Sequence, residues 1–290
     1  MFGSILTAMV TPFNDTLAVD YDRLAELAEF LIDNGSDGLV VAGTTGESPT
    51  LSDDEKVRMF RCVVEAVAGR AKVIAGSGSN DTAHSVELTG RAQDCGVDGV
   101  LIVTPYYNRP PERGLKAHFR AVAAATALPL IMYNIPSRCG VNLSPEVLAE
   151  LGEIENIVAV KQANPDLAES RRLREISSLG LYAGNDDMLV DLLEIGGRGG
   201  ICVSSHVAGP QMRLVITAAG NGDMALAREL DAKLASLYRT LFLTANPILV
   251  KSALNQLGHA VGGLRLPLVP ATAAEAAIVA AELRAQGILS

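Results

Sequence analysis

One short unit recurs eight times along the chain: an apolar stretch of five to nine residues, a turn, then a segment with helical apolar spacing. The apolar stretches fall at 4–12, 37–43, 71–77, 98–105, 129–134, 156–162, 181–185 and 199–205. They are near-continuous runs such as "DGLVVAG" and "DGVLIVTP", not polar/apolar alternations, so each predicts a strand of a parallel sheet buried on both faces. Helices are expected at 21–35, from about 53 to 68, 82 to 95 and 112 to 126, from Pro145, from Pro165, up to about Ile195, and from Pro210. Ser52 and Glu55 form a capping-box pattern. Ser144-Pro145, Asn164-Pro165 and Asn246-Pro247 each predict an N-cap residue followed by proline at the first helical position.

Eight strand–helix units in a chain of 290 residues predict a (β/α)8 TIM barrel, with an open doubly wound sheet as the alternative. Three further helical stretches, about 222–240, 246–258 and 271–286, follow without a linker or low-complexity tract. The organisation expected is therefore a barrel over 1–221 and a C-terminal helical appendage over 222–290, packed on the barrel.

In such a barrel the reacting groups sit at the C-terminal ends of the strands. These ends read "GTTGES" (43–48), "TPYYNRPP" (104–111), "YNIPSRCG" (133–140), Lys161, "AGND" (183–186) and "SSH" (204–206). Lys161 closes the run "NIVAVK". A lysine there either reaches solvent at the rim or points into an apolar interior, where desolvation lowers its pKa and leaves an amine able to attack a carbonyl. The polar groups gathered at the same end favour the second reading. In "GTTGES" two hydroxyls, Thr44 and Thr45, lie between glycines that let backbone N–H groups turn toward an anion. Tyr133 offers a phenol near the lysine. Arg138, in a Pro/Ser loop, offers a fork for a carboxylate. Tyr106-Tyr107 reads as an exposed aromatic pair suited to a protein contact.

Other chemistries are not supported. The net charge of −9 argues against nucleic acid and anionic membrane surfaces. No apolar run is long enough to span a bilayer. His84, His118, His206 and His259 show no metal-ligand spacing, and there is no GxGxxG or P-loop pattern, so neither metal nor cofactor is expected. Cys62, Cys95, Cys139 and Cys202 are scattered without a CxxC pair and predict free thiols in a reducing cytoplasm.

With "GTTGES", "VTPYYNRP", "YNIPSR" and Lys161 in this order and spacing, the chain resembles the class I pyruvate-dependent aldolases and lyases of the dihydrodipicolinate synthase/N-acetylneuraminate lyase superfamily, from "GSILTAMVTPF" to "LRLPLVPAT". The resemblance implies that Lys161 forms a Schiff base with pyruvate and that Thr45 and nearby amides hold its carboxylate. It implies that Tyr133 moves protons, linked to solvent by Thr44 and by Tyr107 of a neighbouring subunit. It places Gly184 and Ile201 close to the pyruvate, and Arg138 on the carboxylate of L-aspartate 4-semialdehyde. Arg138 fits the neuraminate-lyase branch less well. Branches acting on sugar acids or other keto acids are the enzyme alternative, and a non-catalytic binding paralogue is the alternative of another class. A homodimer or homotetramer is implied, as is an allosteric lysine site around Ser48, Asn80, His84 and Tyr106. With His84 and Lys56 where sensitive members carry Glu and His, lysine is expected to inhibit weakly or not at all.

Overall fold

The computed structural model describes residues 2–289. Eight parallel strands close into a barrel in sequence order: β1 (Ile5–Ala8), β2 (Gly38–Val41), β3 (Lys72–Gly76), β4 (Gly99–Val103), β5 (Leu130–Asn134), β6 (Ile157–Gln162), β7 (Gly180–Ala183) and β8 (Gly199–Cys202). β8 pairs back onto β1, Ile201 opposite Leu6, so no edge is left open. Around the barrel run α1 (Tyr21–Asp33), α2 (Asp53–Val67), α3 (Thr82–Gln93), α4 (Glu112–Ala124), α5 (Pro136–Cys139), α6 (Pro145–Leu151), α7 (Leu167–Ile176), α8 (Leu189–Glu194) and α9 (Ser205–Gly220). Three more helices follow: α10 (Met224–Leu241), α11 (Ile248–Gln256) and α12 (Ala273–Ala285). α10 packs on α9 and α12, and α11 packs on the same two helices. Among the described residues no helix is long and apolar enough to cross a membrane. The four cysteines are free thiols.

Strand geometry sorts the apolar residues into two cores. Leu101, Ile131, Tyr133, Ala159 and Ile201 point into the barrel, while Val100, Ile102, Met132, Val160 and Cys202 point outward into the layer under the helices. The near-continuous apolar runs follow from this, since both faces are buried. Lys161 stands two residues beyond Ala159 and shares its inward direction.

The helix starts show where local sequence rules hold and where tertiary contacts override them. The Ser52–Glu55 capping box is formed in both directions, a device worth about 1 kcal/mol. Ser144 caps α6 ahead of Pro145. Asn164 does not cap α7. The cap is Asp166, which accepts from the Ala168 amide at 2.8 Å, while Asn164 accepts from the Asp166 amide in a local turn. Asn246 does not cap α11 either, because its side chain is drawn to Thr45. Arg138 lies on the single helical turn α5 rather than in a loop, since Pro136 presets the first helical position. Tyr106 is half-buried, and only Tyr107 of the predicted pair is exposed.

Candidate active site

Tyr133 and Lys161 are register partners on β5 and β6. The same inward direction from adjacent strands brings the Lys161 ammonium to 4.4 Å from the centroid of the Tyr133 ring. Both side chains are 5 % exposed. Burial pulls the Lys161 pKa down to about 8, with Asp186 and Cys202 opposing and Arg138 adding to the shift. Burial pushes the Tyr133 phenol well above its ordinary value, opposed by Arg138 and the Thr44 hydroxyl. The pair is thus an amine with a reachable neutral form beside a phenol that keeps its proton.

A pocket of about 360 Å³ opens above the barrel, with Thr44, Tyr107, Tyr133 and Arg138 in its lining. Cys139 joins them as a buried thiol that donates to the Thr104 carbonyl, and burial raises its pKa to about 11. Arg138 is exposed at the mouth, and among the described residues no carboxylate lies within ion-pair distance of its guanidinium. Tyr107 is 89 % exposed, with a φ of 71°, so its ring stands in solvent and not in the core. Thr45, Lys161, Gly184 and Ile201 are not in the lining of this pocket. Tyr133 joins the two groups, since it lines the pocket and packs against Lys161.

The turn carrying Thr44 and Thr45 is closed by its own backbone. The amides of Gly46 and Ser48 donate to the Gly43 carbonyl, and that of Glu47 to the Thr44 carbonyl. Within the turn the Thr44 and Thr45 amides have no acceptor among the described residues. Glycine is required nearby: a Cβ on Gly76 would lie 2.6 Å from the Ala42 carbonyl oxygen, where the chain enters the turn. Thr45 is buried, and its hydroxyl accepts from Asn246 Nδ2 at 2.9 Å. Gly184 is tied by its amide to the Gln162 carbonyl, one residue past Lys161, and a Cβ there would lie 2.8 Å from that oxygen. Ile201 is fully buried on β8, facing the barrel interior.

Asn246 and Asp186 reach the surroundings of the site, a placement that the sequence reading did not give to either. Asp186 is buried and accepts from the Val203 and Ser204 amides, which fixes the turn after β8. Its only sequence signal is an acid just past the end of β7. Asn246 lies about 200 residues from Thr45, and its local pattern is that of an N-cap, which gives no sign of this contact. His206, at the end of "SSH", is no reactive group. Its Nδ1 donates to the Val203 carbonyl, Nε2 accepts from the Val10 amide, and burial lowers its pKa to about 4.

A second pocket, of about 370 Å³, brings Ser48, Asn80, His84 and Tyr106 together with Asp53 and Lys56. His84 Nε2 lies 2.8 Å from Asp53 Oδ2, and Lys56 Nζ lies 3.5 Å from Asp53 Oδ1. Burial pushes the Asp53 carboxyl up, but His84 and Lys56 hold it below the usual carboxylate range. The other carboxylate of this pocket, Asp81, caps α3 through the Ala83 and His84 amides.

The model of the dihydrodipicolinate synthetase family matches residues 1–286. The chain is 50 % identical to 4-hydroxy-tetrahydrodipicolinate synthase of Moorella thermoacetica, covering 99 % of each chain. It is 48 % identical to the enzyme of that name from Heliobacterium modesticaldum, over 99 % of this chain and 96 % of that one. Its fold superposes on the crystal structure of the Cyanidioschyzon merolae enzyme with lysine bound at a TM-score of 0.97, with 43 % identity and 99 % of each chain covered. A strand-borne lysine beside a tyrosine at the C-terminal end of a closed barrel, with the family matched from residue 1 to 286, means that the chain belongs to the dihydrodipicolinate synthetase family.

Proposed function

We propose that this chain acts as a 4-hydroxy-tetrahydrodipicolinate synthase, condensing pyruvate with L-aspartate 4-semialdehyde on the diaminopimelate route to lysine. The observation that carries the reading is the buried Lys161 amine packed against Tyr133. The neutral amine adds to the pyruvate ketone, and water leaves as the imine forms. Tyr133 gives the proton that the departing hydroxyl needs, and Thr44 passes a replacement proton from the pocket back to the phenol. The pyruvate carboxylate lies on the Thr44 and Thr45 amides and the Thr45 hydroxyl. Loss of a proton from the pyruvate methyl yields an enamine, which attacks the semialdehyde carbon. The amino group of the second substrate then displaces Lys161 and closes the ring. Borohydride reduction in the presence of pyruvate should trap an adduct on Lys161. Turnover with the semialdehyde should exceed that with sugar-acid aldols, and the reverse order would move the chain to another branch. No adduct at all would make it a binding protein.

Arg138, exposed and without an acidic partner among the described residues, holds the second substrate's carboxylate. A charge-assisted contact of this kind contributes about 1.5–3 kcal/mol. Arg138→Ala should therefore raise KM for the semialdehyde roughly ten- to a hundredfold, while the pyruvate dependence of borohydride trapping stays close to the unaltered protein's. Equal damage to both measurements would remove the role.

Tyr107 completes the proton path of a neighbouring subunit, which makes the active unit at least a dimer. Tyr107→Phe mixed with Lys161→Ala should recover activity through hybrid dimers. A mixture shown by mass to have exchanged subunits but still inactive would count against the shared site.

Lysine inhibits weakly or not at all. An ammonium entering the second pocket needs a carboxylate, and Asp53 is already held by His84 and Lys56. Opposite charges at about 4 Å gain roughly 1–4 kcal/mol at surface-like dielectric, and the neighbouring Lys56 opposes a gain of that size. Steady-state rates should be unchanged at sub-millimolar lysine. Inhibition there would show that the ligand displaces His84 from Asp53.

A further inference from the structure

Glu47 and Lys251 form an ion pair sealed from solvent, with side chains 0 % and 1 % exposed and Nζ 3.0 Å from Oε1. Nothing in the chemistry proposed above uses either charge. A buried pair of this kind is weak evidence for stability, because desolvating two ions offsets much of their attraction. Its placement points to another role. Glu47 ends the "GTTGE" turn and has a φ of 58°, a left-handed conformation that a glutamate adopts only when its surroundings hold it. Its other oxygen, Oε2, accepts from the Arg265 amide at 3.0 Å. Lys251 also donates to the Thr11 carbonyl at 2.8 Å, and the Thr11 hydroxyl in turn donates to the Gly46 carbonyl at 2.6 Å. The Lys251 ammonium and the Arg265 guanidinium both lie over the ring of Phe13, at 4.3 and 4.6 Å. Arg265 continues outward to Glu55, at the first turn of α2, and to the Thr50 carbonyl. The turn bearing Thr44 and Thr45 is thus gripped from behind by α11 and the segment after it.

We propose that Glu47 and Lys251 are positioning residues: the pair pins the left-handed Glu47 backbone, and through it the Thr44–Thr45 amides and hydroxyls, in the orientation that receives the carboxylate of a 2-keto acid. The C-terminal segment is then part of the binding site, although it contributes neither the nucleophile nor the proton donor. This inference rests on the reading of Lys161 as the Schiff-base lysine. It adds that binding of the keto acid depends on a contact buried on the far side of the turn.

The test is the pyruvate concentration that gives half-maximal borohydride trapping on Lys161, measured by intact mass, beside the thermal midpoint. In the double variant Glu47→Gln/Lys251→Met both charges are removed at nearly constant volume, so no unpaired ion is left in the core. The expected result is a folded protein whose half-maximal pyruvate concentration rises at least about tenfold, while saturating pyruvate still labels Lys161 fully, as for a loss confined to ground-state binding. Leu283→Ala, in the core of α12 away from the turn, serves as a control for lost stability and should leave the pyruvate curve in place. If the double variant does not fold, Glu47→Gln alone is measured in the same way, since it keeps the side-chain length and an acceptor for the Arg265 amide. An unchanged pyruvate curve in either folded variant would overturn the proposal and leave the pair a purely structural contact. Failure of the unaltered protein to trap pyruvate would instead overturn the Schiff-base reading.

Discussion

Lys161→Ala loses the borohydride-trapped pyruvate adduct and, with it, measurable turnover. The covalent route disappears with the amine, and the expected fall in kcat is on the order of 10⁴-fold or more, as for other nucleophile deletions. The fold survives for a reason that can be signed. The Lys161 pKa is lowered to about 8 by burial, so the folded state holds this proton less tightly than the unfolded chain does. The resulting cost is fully present below pH 8, shrinks as the pH rises toward the ordinary lysine value, and is roughly 3 kcal/mol. Deleting the side chain relieves that cost and leaves a cavity of comparable penalty, about 2–5 kcal/mol for a long side chain. The thermal midpoint at pH 7 should therefore move by only a few degrees. The same pKa sets the pH profile of the unaltered protein. At pH 7 about one amine in ten is neutral, against about one in three thousand for an ordinary lysine. Imine formation at subsaturating pyruvate should rise with pH and level off above about 8. A profile flat from pH 6 to 9, or an adduct on another lysine in the variant, would sink the assignment.

Tyr133→Phe keeps the ring that packs against Lys161 and removes only the hydroxyl. General acid–base groups contribute about 10²–10⁴-fold, and a loss of that size in kcat is expected with little change in stability. The proton is needed when water leaves to form the imine, so single-turnover trapping with pyruvate should slow by a similar factor. Burial holds the phenol protonated far above neutral pH. A variant that traps pyruvate at the normal rate but fails with the semialdehyde would confine Tyr133 to the second half-reaction.

Much of the fold was legible because it rests on local rules. Eight apolar runs, each bounded by turn residues and followed by helical spacing, leave few arrangements that bury both faces of every strand. The Ser52–Glu55 box and the Ser144 cap involve residues at most three apart, and both formed as expected. The exceptions have distant partners. Asn246 has the local pattern of an N-cap, but its amide is taken by Thr45, from the other end of the chain. Tyr106 reads as exposed beside Tyr107, yet it turns inward to line the pocket with His84.

The sequence by itself determined the barrel and the end of it where chemistry collects. The strand period fixes which residues share a face, and strand ends fix which loops meet. It also favoured an inward Lys161, because polar groups collect at the same strand ends, whereas strands apolar on both faces left the inward sorting of Tyr133 and Lys161 to the barrel itself. Only the tertiary structure decided what those side chains experience. The lowered pKa of Lys161 is a property of burial on every side, to which its neighbours in sequence contribute only part. The binding of Asn246 to Thr45, of Lys251 to Glu47 and of His84 to Asp53 depends on segments separated by 31 to 204 residues. Charge and hydrogen bonding act through space over a few ångströms, and closure of the barrel is what brings those groups within that range.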